Sequence, residues 1–561
     1  MRDSLTSRIR IWWLLAAWFI LYALIWAAAT GDVGFVGDEW RLVSLASRYP
    51  FIKALHLAMY DALRPLQGLL PILEYQFIGL NDVGYNMISA FIHAGHVLAF
   101  AWAMRRAFPR RTVLIVIASL FVFHLPMVAQ LLINSSFDAI HTAALIYWLC
   151  VVAFQHWGVK QKYHRLILPI ALYTLSLLIY ENAFLLLPVT GLMTAAVISQ
   201  RDRRPWRLER ILQITTVMVL SHLVGFLITV GVRIVWNIDY QANFAILPLN
   251  DILNYGTVLL QHLQIPFLPF APDGVAIMGA VVTAFVGVFL LMHIPSEPRA
   301  DVRPAINHED RWLIWVAIAL MIFGHLPYIL AGYKTEYSFM GYSRQHVMGL
   351  IGIAILISMM LERLFRSHRM LVYGLAAVWL AGASGFLFTF RLQAAQWEAV
   401  RQSLYHDLLT NAPGLDGPAI VLIEDGQLIT ADAMPALVFG SSRGQEAFFR
   451  LFYNDEGMES GYTFPGVDSS EEKTGSLWVS QQGLYVPGFM EVGWDDKRDR
   501  VILLKREGDH FTLVDRYTAS DHMMIVWEDG IDVLETNDAL IHPEQLETQR
   551  QRLIDLGLLK D

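Results

Sequence analysis

The sequence predicts a polytopic α-helical membrane protein of about eleven transmembrane helices, followed by a C-terminal soluble α+β domain. Three observations predict it. The 561 residues are 55% hydrophobic and only 16% charged, with a mean hydropathy of +0.44, whereas soluble domains carry about 25% charged residues. Apolar runs of the length needed to cross a hydrocarbon core, roughly 20 residues each, recur as far as Arg391. Beyond Arg391 the composition changes to that of a mixed, water-soluble fold.

The apolar runs lie near 11–30, 84–104, 112–128, 137–156, 165–180, 183–199, 211–235, 275–294, 312–331, 347–365 and 370–390. Lys and Arg in short loops resist translocation and so set the orientation. With Arg2, Arg8 and Arg10 in the cytoplasm, alternation places the other strongly basic loops on the same side. These carry Arg105, Arg106, Arg110 and Arg111; Lys160, Lys162 and Arg165; Arg201, Arg203, Arg204, Arg207 and Arg210; Arg299, Arg303 and Arg311; and Arg363, Arg366 and Arg369. The loops expected outside (31–83, 129–136, 180–182, 237–273 and 332–346) are poor in Lys and Arg. An odd number of crossings puts residues 392–561 outside as well. The first apolar stretch is long and Trp-rich and reads as a retained helix, not a signal peptide. The one cysteine, Cys150, falls within a predicted helix, so the outside domain must stand without a disulfide. A net charge of −8, with no basic concentration outside, excludes nucleic acid as a partner.

The sequence therefore divides into a membrane module, 1–391, and an extracytoplasmic α+β domain, 392–561. The first outside loop, 31–83, is too long for an unstructured connection. Within it Leu45 to Leu63 reads as an amphipathic helix, and the apolar run Gly68 to Leu80 suits an interfacial or re-entrant helix. Asn250 to Phe270, interrupted by Pro266 and Pro269, is expected to cap the outer face. No internal repeat suggests the inverted halves of a transporter. In the C-terminal domain a helix is expected from Gln393 to Thr410 and a buried strand from Ala419 to Glu424. Further strands are expected at Leu477 to Ser480, Val501 to Arg506, Phe511 to Tyr517 and Met523 to Trp527. The middle two are joined as a hairpin across Glu507-Gly508-Asp509, and a last helix runs from Pro543 to Leu558.

The most informative cluster is Gly37-Asp38-Glu39-Trp40-Arg41, two adjacent carboxylates just beyond the first helix. A partly desolvated carboxylate at a membrane edge can act as general base or metal ligand, because its pKa rises toward the working range; the bland reading is a solvated loop. Topology brings other polar groups to the same boundary: Arg64-Pro65-Leu66, Asp138, Tyr180-Glu181-Asn182 and Tyr342-Ser343-Arg344-Gln345-His346. Ionisable groups within the membrane region are functional candidates by default. Glu181, in an otherwise apolar turn, needs a partner, Arg64 or Arg344, and a purely structural ion pair would satisfy it equally. The two arginines suit a phosphate or lipid headgroups, through the planar guanidinium fork. His93, His96, His124, His222, His262 and His325 show no metal-ligand spacing with a carboxylate and are expected to be core histidines.

These features resemble the C-type glycosyltransferase superfamily (GT-C). Asp38-Glu39 in a helical first outside loop, with Arg41 following, is similar to the Asp-Glu-x-Arg pattern of the lipid A aminoarabinose transferases. Arg64-Pro65-Leu66 and the stretch Asn86 to His93 are similar to the protein O-mannosyltransferase and TMTC-like branches. Leu42 stands where the aminoarabinose branch tends to have Tyr, and the C-terminal domain matches no carbohydrate-binding module. The resemblance implies a GT-C-like fold and transfer of a sugar from a polyprenyl-phosphate donor to a glycan, lipid or protein acceptor outside the cytoplasm, among membrane lipids. Asp38 would then be the general base, with Glu39 orienting it or helping to hold a divalent metal, Mg2+ or Mn2+. Arg64 and Arg344 would stabilise the phosphate leaving group, supported by Arg41, Asp138, Glu181 and His346. The competing readings are a transporter or flippase of lipid-linked saccharides and a noncatalytic scaffold. The charged candidates crowd one boundary instead of the midplane, which favours an enzyme.

Overall fold

The computed structural model describes residues 2–28, 39–61, 64–126, 138–160, 162–202, 208–235, 273–294, 308–330, 347–415, 419–425, 442–453 and 533–559, the strands named below, and scattered residues between them. Its helices are α1 (Arg2–Ala28), α2 (Glu39–Arg48), α3 (Phe51–Asp61), α4 (Leu69–Ile78), α5 (Asp82–Ala107), α6 (Thr112–Phe123), α7 (Asp138–Lys160), α8 (Ile167–Ile179), α9 (Leu187–Asp202), α10 (Leu208–Val235), α11 (Gly274–Met292), α12 (His308–Leu330), α13 (Val347–Ser367), α14 (Arg369–Asn411), α15 (Ser442–Tyr453) and α16 (Leu546–Asp555).

Among the described residues eight helices are long and apolar enough to cross a membrane: α1, α5, α7, α10, α11, α12, α13 and α14. The protein is an integral membrane protein. The expected count of eleven is not confirmed among the described residues. The other three runs form α6, α8 and α9, of 12, 13 and 16 residues. At about 1.5 Å per residue these are shorter than the roughly 30 Å hydrocarbon core. Large apolar side chains stand exposed in succession on α10 (Val219, Leu220, Leu223, Val224, Leu227) and α11 (Ile277, Met278, Val281, Phe285). Water would penalise such faces, and lipid does not.

The chain forms two compact units. One comprises Met1–Gly31, His56–Leu70 and Tyr85–Leu392; the other comprises Asp32–Leu55, Pro71–Gly84 and Gln393–Asp561. The sequence reading kept the whole first loop with the membrane module, whereas two of its pieces belong to the second unit. The predicted amphipathic helix in that loop is two helices, α2 and α3, broken where Pro50 ends the first.

In the membrane unit, α7, α8, α9 and α10 share a core of Cys150, Phe154, Trp157, Tyr173, Leu177, Ile198, Ile214 and Met218. Helices α12 and α13 approach closely through small residues. A Cβ built on Gly324 would lie 2.8 Å from Cβ of Met348, and one on Gly352 would lie 2.5 Å from the carbonyl oxygen of Ala317. Small residues let membrane helices gain contact where lipid offers no hydrophobic drive. One buried ionic cluster ties α6 to the same pair. Arg111, just before α6, bonds Asp310 of α12 and Glu362 of α13, and Arg363 reaches Asp310 at 3.2 Å. At the other end of the unit Arg391 Nη2 donates to the carbonyl of Ala27 at 2.8 Å and its guanidinium lies 4.4 Å from the Trp26 ring.

The second unit is built on a four-stranded sheet in the order β2 (Ser460–Pro465), β1 (Ile420–Asp425), β6 (Val501–Glu507), β7 (His510–Leu513). Strand β1 is parallel to both neighbours, Leu422 facing Tyr462 and Leu503, and β6 turns into β7 as the expected hairpin. Ile420 to Ile423 are all buried, as a central parallel strand requires. A second sheet orders β5 (Met490–Gly493), β4 (Gly483–Val486), β3 (Leu477–Val479) and β9 (Ile525–Trp527), and β8 (Arg516–Thr518) pairs with β10 (Val533–Glu535). The predicted strand from Phe511 to Tyr517 is thus split between β7 and β8. The stretch from Gln393 to Thr410 continues the 43-residue α14. The last helix begins as a 3-10 turn at Pro543–Gln545 before α16. Most of 250–270 lies outside the described residues; within it Ile265–Phe267 is a 3-10 turn.

Gly352→Leu should force α12 and α13 apart and cost about 1–3 kcal/mol, the usual penalty of overpacking. Gly374→Leu should be neutral, since nothing lies within 4 Å of a Cβ there. Thermal midpoints of the detergent-solubilised variants test the pair, and equal midpoints would refute the close-packing account.

Candidate active site

Asp38, Arg344 and His346 lie outside the described residues. Their neighbours Glu39 and Arg41 sit on α2, the short helix that opens after the first membrane span. Glu39 is the first residue of α2, where the partial positive charge of a helix N-terminus favours an anion. Trp40, Leu42, Val43, Ser44 and Ala46 form the buried face of α2. Trp40 meets Phe448 edge-on at 5.0 Å and Tyr405 at 6.4 Å, and Phe448 stacks on Tyr405 at 5.1 Å. This aromatic set fixes the register of α2 and therefore the position of Glu39.

Glu39 is 2% exposed and Glu74, on α4 of the same unit, is 3% exposed. Both carboxylate oxygens of Glu74 lack a hydrogen-bond partner among the described residues. Burial, and secondarily the nearby Glu39 carboxylate, push the Glu74 carboxyl up to about 8. Two carboxylates in one apolar setting do not both ionise readily. Glu74 is therefore held neutral at pH 7 and carries a proton it can exchange. The sequence reading missed it. Its signal was a lone acid inside the apolar segment Leu69–Ile78.

In the membrane unit Arg64 pairs with Glu181. Its Nε and Nη2 donate to the two carboxylate oxygens in a bidentate fork, Nη1 donates to Gln67 Oε1 at 3.1 Å, and the guanidinium lies 3.8 Å from the Tyr180 ring. Backbone bonding sets this up. Leu66 N donates to Leu178 O at 2.9 Å, pinning the Arg64 turn to the end of α8, and Glu181 opens the 3-10 turn that follows. Of the two arginines named as partners for Glu181, Arg64 makes the pair. A guanidinium has five N–H groups, so two of those on Arg64 have no partner among the described residues. Asp138, at the start of α7, is fully buried and accepts from Ser89 Oγ at 2.7 Å.

The histidines separate into two groups. His124, His222 and His325 each donate from Nδ1 to the carbonyl four residues back in their own helix, as expected of core histidines. His93 and His96 are instead joined by His141, which the sequence reading passed over. His262 lies outside the described residues.

No protein-family model matches the chain, and no curated protein matches it in a sequence comparison. Solved structures that resemble it include two of one protein. The crystal structure of ArnT from Cupriavidus metallidurans bound to undecaprenyl phosphate covers 72% of this chain and 82% of its own, at 15% identity and a TM-score of 0.39. The apo state of the same protein covers 75% and 83%, at 14% identity and a TM-score of 0.33. Likeness of this grade assigns no residue a role, and the chemistry has to come from the side chains described above.

Glu74 gives a pH signature. Its carboxyl is raised from an ordinary value of 4.5 to about 8, so the unfolded chain ionises it from about pH 4.5 while the folded chain resists until about pH 8. The contribution to stability is complete below pH 4.5, declines between 4.5 and 8, and is then lost. Glu74→Gln should leave the thermal midpoint near pH 4.5 unchanged and raise it at pH 8. Parallel midpoint–pH curves for the two proteins would contradict the burial argument.

Proposed function

We propose that this protein transfers a sugar from a polyprenyl-phosphate donor to an acceptor on the extracytoplasmic face of the membrane. The observation that carries the reading is the carboxylate pair in the first loop: Glu39, held by the Trp40 aromatic set, buried near Glu74, whose carboxyl burial pushes up, with Asp38 adjoining in sequence. Neighbouring carboxyls, one of them with its proton affinity raised by burial, suit acid–base chemistry on a hydroxyl. The resemblance to GT-C enzymes points the same way. The distribution of basic loops supports an N-terminus in the cytoplasm and a C-terminal unit outside. Nucleotide sugars are cytoplasmic, so an outward-facing transferase needs a membrane-borne donor.

In the proposed reaction the acceptor oxygen attacks the anomeric carbon as its proton passes to Asp38. The bond from that carbon to the phosphate oxygen breaks, and the polyprenyl phosphate departs with the electron pair. Glu39 orients the base from the start of α2. Arg344 and the two remaining N–H groups of Arg64 stabilise charge on the departing phosphate. Glu181 holds the Arg64 fork in place, at the cost of cancelling most of its charge. Arg41, Asp138 and His346 are proposed as supporting residues.

The test is transfer of radiolabelled sugar from a panel of polyprenyl-phosphate sugars, undecaprenyl carriers first, to membrane-extracted acceptors by the purified protein. Asp38→Asn should lower the rate by about 10²–10⁴-fold, the usual worth of a general base, with the elution profile unchanged. Adding EDTA, then restoring Mg2+ or Mn2+, reads metal dependence in the same assay. Equal rates in wild type and Asp38→Asn would remove Asp38 from the mechanism. No turnover with any donor, together with carrier movement across reconstituted vesicles, would favour a flippase.

A further inference from the structure

His93 and His96 lie one turn apart on α5, and His141 faces them from α7. All three are buried, at 1%, 0% and 0% exposure. Their ring centroids are 4.6 Å apart for His93 and His141, 5.7 Å for His96 and His141, and 5.9 Å for His93 and His96. One nitrogen from each falls within a set whose members all lie within 4.8 Å of one another.

Two of the three, His96 and His141, differ from the other buried histidines in having neither ring nitrogen hydrogen-bonded among the described residues. His93 Nε2 lies 3.1 Å from the carbonyl oxygen of Phe123. A carbonyl only accepts, so Nε2 carries the proton and Nδ1 presents a lone pair. That is the second-sphere arrangement that orients a metal-binding imidazole. Nδ1 of His93 and both nitrogens of His96 and of His141 have no hydrogen-bond partner among the described residues. Buried polar atoms are satisfied as a rule, and three ring nitrogens converging from two helices, one from each histidine, suit a common ligand. A second polar tier lies one turn away on both helices: Ser89 precedes His93 by four residues, Asp138 precedes His141 by three, and Ser89 donates to Asp138 at 2.7 Å.

We propose that His93, His96 and His141 form a binding site for a divalent transition-metal ion, of which Zn2+ is the reference case. Imidazole donors select Zn, Cu, Ni and Fe over Mg or Mn, which take oxygen. Tetrahedral ligation at about 2.0–2.1 Å places nitrogens roughly 3.3 Å apart, so the widest pair has to close by roughly 1.5 Å when the ion binds. Three neutral ligands leave a fourth position open for water or another donor. The ion would also clamp α5 to α7. This inference does not depend on the glycosyl-transfer reading.

The test uses full-length protein without a polyhistidine tag, purified in detergent, stripped with a chelator and reloaded with Zn2+ or Co2+. Elemental analysis after desalting should find one ion per chain in wild type. It should find a loss of most of that metal in His141→Ala and in the milder His141→Asn, with elution profiles preserved, and full loading in the control His222→Ala. Should the His141 variants fail to fold, the wild-type Co2+ spectrum decides alone: intense visible d–d bands of a nitrogen-ligated, low-coordinate ion are expected. Zinc content equal in wild type and both His141 variants would overturn the site. So would wild type that takes up no ion, or the weak bands of oxygen-ligated octahedral Co2+.

Discussion

A polar group buried in a body this apolar has to find its partner inside the protein, because lipid offers neither donors nor acceptors. The arrangement of the membrane unit follows from that constraint. Arg111 is matched by Asp310 and Glu362, Arg64 by Glu181, and Asp138 by Ser89; Arg391 is matched by the Ala27 carbonyl and the Trp26 ring. Each of these bonds joins segments far apart in sequence, so each also fixes which helices are neighbours. Removing one partner from such a pair leaves a buried charge uncompensated, which is why pairs of this kind hold a helix arrangement more firmly than their net worth suggests.

The same constraint makes the exceptions informative. Among the described residues whose buried polar atoms find no hydrogen-bond partner, Glu74 has both carboxylate oxygens unmatched, and His96 and His141 have both ring nitrogens unmatched beside the free Nδ1 of His93. Glu74 meets the constraint by keeping its proton. The histidines have no comparable route, because a neutral imidazole already has one donor and one acceptor and both want partners. A group that is unmatched at every polar atom is thereby a place open to a proton, an ion or a substrate.

Much of this was legible in the sequence, and what was not has a common cause. Long apolar runs announce themselves without reference to neighbours, so the eight long helices were read directly; α6, α8 and α9 were read as crossings because hydropathy does not reveal where a helix ends. The hairpin of β6 and β7 showed in its turn residues. Strands β2, β4, β5 and β10 and helix α15 did not show, being short segments that depend on tertiary partners. Glu181 and Arg64 could each be named, but choosing Arg64 over Arg344 needed the bond from Leu66 to Leu178 that positions the turn. His141 was passed over because its relation to His93 lies 48 residues away in the chain, with no local periodicity to betray it. The division of the first loop was hidden for the same reason: α2 is held by Trp40 against Tyr405 and Phe448, contacts no local pattern encodes.

The loop carboxylates and the arginines place opposite demands on their surroundings, and the two units meet them differently. An acid–base group works when its two protonation states lie close in free energy, which calls for burial without a cation. Glu74 has that setting within the apolar helix α4, where burial and the nearby Glu39 carboxylate raise its proton affinity. A group that steadies a departing phosphate has to remain charged throughout. Burial beside Glu181 keeps Arg64 charged but spends most of its field on the carboxylate, so only its two spare N–H groups remain for a second anion. An arginine locked in this way fixes geometry more than it supplies charge. A second anion beside Arg64 would meet those two donors and little net positive charge.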